Sequence, residues 1–130
     1  MNLESKKITV SKNAETLFGL LSNIENFEKL MPESISKFEV LNENSFLFAL
    51  KGMPEIALEK KGSTPHSQLV LGAKSDKIPF TLTANLQEIN PTETEVQLSF
   101  EGSFNPMMAM MIKAPISKFI ETLADKMPEL

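Results

Sequence analysis

Residues 80–87 read Phe-Thr-Leu-Thr-Ala-Asn-Leu-Gln, an unbroken alternation that suits an extended strand with one covered face. Phe80, Leu82, Ala84 and Leu86 share one side, and Thr81, Thr83, Asn85 and Gln87 share the other. Shorter alternations recur at Ile8 and Val10, at Phe46, Phe48 and Leu50, at Ile56 and Leu58, and at Val96, Leu98 and Phe100. Residues 35–41 form a further strand, and Gln68 and Val70 share one side of another that runs to Gly72. Turn signals separate these runs: Asn42-Glu43-Asn44, Gly52-Met53-Pro54, Gly62-Ser63-Thr64-Pro65 and Asn90-Pro91-Thr92-Glu93. Strands that are apolar on one side only predict an antiparallel sheet covered on one face.

Helices must supply the cover. Ser11 or Asn13 caps a short helix carrying Leu17, Phe18, Leu20 and Leu21. Ser22-Asn23-Ile24-Glu25 fits a capping box opening a second short helix with Ile24, Phe27 and Leu30, stopped by Pro32. Neither is long enough to stand without a sheet beneath it. The last helix opens at Phe104-Asn105-Pro106 and places Met108, Met111, Ile112, Phe119, Leu123 and Met127 at three- and four-residue spacing. Pro115 lies inside it and predicts a kink or break near Ala114. The order is β-α-α-β6-α, in one domain spanning residues 1–130.

Composition excludes several functions. The chain is 42% hydrophobic and 23% charged, in the range of a globular protein. A net charge of −4 with thirteen Lys and no Arg argues against a nucleic-acid partner and against two-pronged phosphate recognition. With no Cys, disulfides, thiolate metal sites and thiol nucleophiles are absent. The polar start, the lack of a lipidation Cys and the absence of a long apolar run predict a cytoplasmic protein without stable membrane insertion.

Signals for chemistry are sparse. His66 is the sole histidine; it could serve as a general base, but its place beside Pro65 suits a turn, and no inward carboxylate neighbours it. One His and scattered Glu residues do not make a metal site. Lys60-Lys61 and residues 74–77 read as solvated charge clusters. No phosphate loop or nucleophile elbow occurs. The inward polar candidates reduce to His66, Gln68 and Thr94, so neither catalytic residues nor a cofactor are assigned.

The stretch from Ile8 to Asn23, read as a strand, a capped helix and a polar break, resembles the START-related (SRPBCC) superfamily. Leu30-Met31-Pro32 is similar to the Pro-containing exit into the second strand found in members of the carbon-monoxide-dehydrogenase-associated branch. Ile78-Pro79-Phe80 and Gly102-Ser103-Phe104 stand where such proteins begin the sixth strand and leave the seventh. The resemblance implies a helix-grip fold of class α+β: a curved antiparallel sheet of about seven strands wrapped around a long C-terminal helix. It also implies an apolar cavity between them, since relatives bind lipids, sterols, quinones or polyketides. This chain has no Trp, Tyr or Arg, the residue types that active polyketide cyclases place in their cavities.

The apolar sheet face has two readings. Phe46, Phe48, Leu50, Leu58, Val70, Phe80, Leu82, Leu98 and Phe100, with Gln68 beside them, either line a ligand cavity or pack as core. Alternation demands only burial; the resemblance adds the cavity, closed by Met108, Met111, Ile112 and Phe119. Four of the eight Met fall within residues 107–111, and this flexible, polarizable side chain adapts to varied partners. The leading expectation is a monomer or homodimer that binds a hydrophobic lipid-, polyketide- or quinone-like molecule without transforming it. The alternatives are a cyclase- or dehydratase-like enzyme using His66 or Gln68, and a protein-interaction module using the Met-rich helix start and residues 53–54.

Overall fold

The alternation at residues 80–102 folds as the two longest strands of the chain, Phe80–Asn90 (β7) and Glu93–Gly102 (β8), paired in register with Leu82 opposite Phe100 and Leu86 opposite Val96. They lie within an antiparallel sheet that continues through Gln68–Ala73 (β6), Ile56–Thr64 (β5), Ser45–Leu50 (β4) and Ile35–Asn42 (β3). Sequence neighbours pair with one another throughout this run. The computed structural model describes residues 2–31, 33, 35–51, 55–74 and 80–130. The expected strand end at residues 52–54, the helix stop at Pro32, the Ile78-Pro79 junction and most of the cluster at 74–77 therefore fall outside the described residues.

The amino-terminal strand is longer than its alternation indicates. It forms two pieces, Asn2–Glu4 (β1) and Ile8–Val10 (β2), both paired with β8. Ser5 makes the joint: its N–H donates to the Leu98 carbonyl at 2.8 Å, and its Oγ accepts from the Leu98 N–H at 2.9 Å. A buried Ser can sit there because both polar groups find backbone partners. The described sheet thus has eight strands, two of them sharing one edge position.

Three helices cover one face of this curved sheet. Helix α1 (Ala14–Ser22) is capped by Asn13, whose Oδ1 accepts from the Thr16 N–H at 2.7 Å. The Glu88 carboxylate of β7 accepts from the Ala14 N–H at 3.0 Å, so the sheet itself satisfies a second free donor. Ser22 belongs to α1, and the expected capping box is replaced by Asn23, whose side chain accepts from the Glu25 N–H at 3.1 Å. A 3-10 turn, Ile24–Asn26, then leads into α2 (Phe27–Leu30).

Helix α3 runs without a break from Pro106 to Lys126. Pro115 withholds one hydrogen bond, which would have gone to the Met111 carbonyl. Met111 lies on an exposed part of the helix, where water can take that bond's place. Beyond Pro115 the helix is held by tertiary contacts: Ile116, Phe119, Ile120, Leu123 and Ala124 are all buried. Lys126 donates to the Met31 carbonyl at 2.7 Å, tying the end of α3 to the exit of α2.

The hinge between β5 and β6 also differs from expectation. Gly62 stays within β5 beside a bulge, and the chain turns at residues 65–67. His66 holds a positive φ of 66° there, a conformation that suits a turn and is uncommon for residues other than Gly.

Candidate functional site: an apolar cavity beneath the first half of α3

Between α3 and the sheet lies a cavity of about 440 Å³. Its floor comes from the sheet: Phe48 of β4, Ile56, Ala57 and Leu58 of β5, Ala73 of β6, and Phe80, Leu82 and Phe100 of β7 and β8. Its roof is Met107, Met108, Met111, Ile112, Ile116 and Phe119 of α3, with Phe104 and Asn105 leading in. Local chemistry explains why the roof begins there. Asn105 is the helix N-cap, its Oδ1 accepting from the Met108 N–H at 2.8 Å, and Pro106 occupies the first turn, where its missing N–H costs nothing.

Aromatic contacts hold the walls apart. Phe48 and Phe119 stack with centroids 4.9 Å apart and planes 6° from parallel, which sets the distance between sheet and helix at the inner end. Phe80 meets Phe100 at 5.1 Å, and Phe100 meets Phe104 at 6.1 Å, forming a second ring cluster at the outer end. Gly102 is required here: a Cβ at that position would meet the Phe104 ring at 2.6 Å and the Phe80 Cβ at 2.9 Å. Rings of this size cannot rearrange without losing their contacts, so the space between the clusters stays open.

Among the described residues the polar inventory of the lining is two side chains, Glu55 and Asn105. Both are exposed, and both are engaged: Asn105 in its cap, and Glu55 accepting from Lys37 Nζ at 3.4 Å. No described titratable group projects from the walls between them. Lys6, held above the ordinary lysine range by its hydrogen bond and ion pair with Asp125, lies outside the lining. Glu59, held below the ordinary carboxylate range by its hydrogen bond with Lys61, lies outside it too. Among the described residues no three His, Cys, Asp or Glu side chains converge on a point where a metal could sit.

Of the residues named from the sequence, Phe48, Leu58, Phe80, Leu82, Phe100, Met108, Met111, Ile112 and Phe119 stand around this space. Five do not. Phe46 is sealed between Phe27 and Phe38, each with ring centroids 5.3 Å away, and Leu50 is buried opposite Ile35. Leu98 faces the opposite, filled end of the core, beside Leu21, Leu123 and Met127.

Gln68 and Val70 require a correction of phase. Leu69 and Leu71 are the inward residues of β6, and Gln68 points to the outer face, where its Nε2 donates to Asn85 at 3.0 Å. Leu69-Val70-Leu71 is apolar on both faces, so alternation within β6 is ambiguous. Pairing with β7 decides it, setting Leu71 opposite Leu82 and Leu69 opposite Ala84.

The other inward polar candidates are placed elsewhere as well. His66 is exposed in its turn, edge-on to Phe18 at 5.9 Å. Thr94 is buried, and its hydroxyl donates to the Lys12 carbonyl at 2.8 Å, securing β8 to the start of α1.

Part of the lining is not among the residues expected from the sequence. Ile116 continues the spacing from Ile112 to Phe119 and is within reach of helical periodicity. Ala73 is in phase with Leu69 and Leu71, so the same correction recovers it. Ile56 is in phase with Leu58, so the same alternation reaches it, whereas its neighbour Ala57, which also lines the cavity where β5 begins, is out of phase.

No family model matches the sequence, and no curated protein matches it. Solved structures do. The chain superposes over 99% of its length on norcoclaurine synthase from Thalictrum flavum, with TM-score 0.76, 10% identity and 84% of that chain covered. A START superfamily protein from Mycobacterium smegmatis matches over 98% of this chain and 94% of its own, with TM-score 0.70 and 14% identity. A conserved protein from Geobacillus kaustophilus matches over 99% and 93%, with the same TM-score of 0.70 and 14% identity. The chain has a helix-grip fold. At these identities the likeness establishes the fold, and the site's chemistry rests on its own residues.

Proposed function

We propose that this protein binds a hydrophobic small molecule, lipid-, polyketide- or quinone-like, in the cavity beneath α3 and releases it unchanged. The observation that carries this reading is the cavity itself: about 440 Å³ of space whose walls are apolar and whose two described polar side chains stand exposed and already bonded. Ligand pockets in proteins span roughly 300–1,000 Å³ and are lined in this way, with few polar groups. The fold likeness supports it at a distance, since norcoclaurine synthase has been solved with dopamine and hydroxybenzaldehyde bound.

Among the described residues the buried walls contain no general base, nucleophile or paired carboxylate. His66 and Gln68, the two residues that could have supported an enzymatic role, lie outside the lining. Burying ten methylenes yields about 8 kcal/mol, against an association cost on the order of 4–15 kcal/mol. With no charge on the buried walls among the described residues, shape and length would discriminate among ligands, and related apolar molecules would compete.

The test is native mass spectrometry of gently purified protein with extraction of any adduct, paired with an Ile112→Trp variant that places an indole in the cavity. The chain has no Trp or Tyr, so this indole is the sole reporter of its kind. The expected result is an apolar adduct on the unaltered chain that is absent from the variant, whose melting temperature stays close to the parent's. An adduct that persists on a folded Ile112→Trp protein would place the ligand elsewhere.

A further inference from the structure

We propose that Met107, Met110 and Met111 form an oxidation site for hydrogen peroxide or a similar two-electron oxidant, and that sulfoxidation at Met107 and Met111 drives an apolar occupant from the cavity. The second clause rests on the ligand-binding reading; the first does not. At i, i+3 and i+4 these three side chains share one face of α3, and they are 75%, 82% and 72% exposed. Met31 and Met127 are buried, at 4% and 1% exposure. The chain has no Cys, Trp or Tyr to intercept the oxidant. Among the described methionines, susceptibility therefore falls on one patch.

The patch coincides with the roof. Met107 and Met111 line the cavity while remaining open to solvent, Met108 lines it half-buried, and Met110 does not line it. In the reaction the thioether lone pair attacks one peroxide oxygen, forming the S–O bond as the O–O bond breaks. The second oxygen leaves as water with both protons; sulfur gives up two electrons and peroxide takes them. The product is a polar sulfoxide in place of an apolar, flexible side chain. A wall that offered only apolar contact then carries a strong acceptor, and covering it with an apolar ligand strands that acceptor without a donor.

The experiment treats the full chain with hydrogen peroxide, locates each added oxygen by peptide mass spectrometry, and titrates the neutral fluorophore N-phenyl-1-naphthylamine before and after. Sulfoxides at residues 107, 110 and 111 should form about tenfold or more faster than at 31 and 127, which react only when the core opens. Affinity for the probe should fall about tenfold or more. Met110→Leu, outside the lining, should bind the probe as the unaltered chain does and lose it equally on oxidation. A chain carrying Met107→Leu, Met108→Leu and Met111→Leu should show the same affinity before and after peroxide, whatever its starting value. Equal oxidation rates at exposed and buried methionines would overturn the site. Unchanged affinity after complete oxidation at 107 and 111 would overturn the coupling. A folded chain that never binds the probe would sink the coupling together with the ligand-binding reading, while the peptide masses would still decide the oxidation site.

Discussion

From Pro106 to Pro115, helix α3 stands over a cavity of about 440 Å³, whereas its second half, to Lys126, closes the inner end of that cavity with Ile116 and Phe119 and then lies on a core with a void of about 10 Å³. The first half exposes Met107, Met110 and Met111; the second buries Ile116, Phe119, Ile120, Leu123 and Ala124. Both halves are rich in apolar residues, so hydrophobicity alone does not separate them. What separates them is the partner surface. Opposite the second half, α1 and α2 crowd onto the sheet with Leu21, Phe27 and Leu30, and apolar chains from three sides fill the space. Opposite the first half the sheet has only its own side chains, spaced by two clusters of rings. Burial against the sheet anchors one half, and that anchoring lets the other half roof an open space.

The largest effect expected from this contrast is Leu123→Ala. It removes a side chain that is 1% exposed in the filled half and should cost about 2–5 kcal/mol in chemical denaturation. Probe binding should survive for as long as the chain is folded. A loss of binding without a loss of stability would erase the distinction between the halves. Pro115→Ala restores the missing hydrogen bond at the junction and should stabilise by about 2 kcal/mol. Amide exchange should slow between residues 107 and 115 and stay unchanged beyond 119. If the slowing spreads evenly along α3, the halves act as one unit.

Asn105→Ala removes the cap at the roof's first turn and should cost about 1 kcal/mol, with faster exchange confined to that turn. The smallest effect concerns the anchored end, where Lys6 pairs with Asp125 and its backbone N–H donates to Glu121 at 3.1 Å. The hydrogen bond and ion pair with Asp125 raise the Lys6 pKa, so their contribution is complete below the pKa of an unfolded lysine and fades as pH rises through the higher folded value. The melting-temperature gap between the parent and Asp125→Asn should hold steady across neutral pH. It should then narrow above roughly pH 10.4. A gap that widens there would reverse the assigned sign.

Much of the fold was legible because its signals are local. Phe80 to Leu86 could alternate in phase with only one covered face, and Ser11 or Asn13 and the run Phe104-Asn105-Pro106 marked helix starts, where the structure has Asn13 and Asn105 as the caps. The site was half legible for the same reason. Residues on strongly alternating strands, such as Phe48, Leu82 and Phe100, could be assigned a face, whereas β6, apolar on three successive residues, could not.

The sequence by itself determined where most strands and helices lie and which face of most strands is apolar. Those follow from periods of two and 3.6 residues and from composition, which need no knowledge of neighbours. Only the tertiary structure decided the phase of β6, the splitting of the first strand at Ser5, the continuity of α3 through Pro115, and where the core is filled and where it stands open. Each depends on what lies across from a residue. Packing against a second element is a property of pairs of surfaces, and a pattern written along one strand or helix records only its own side of it.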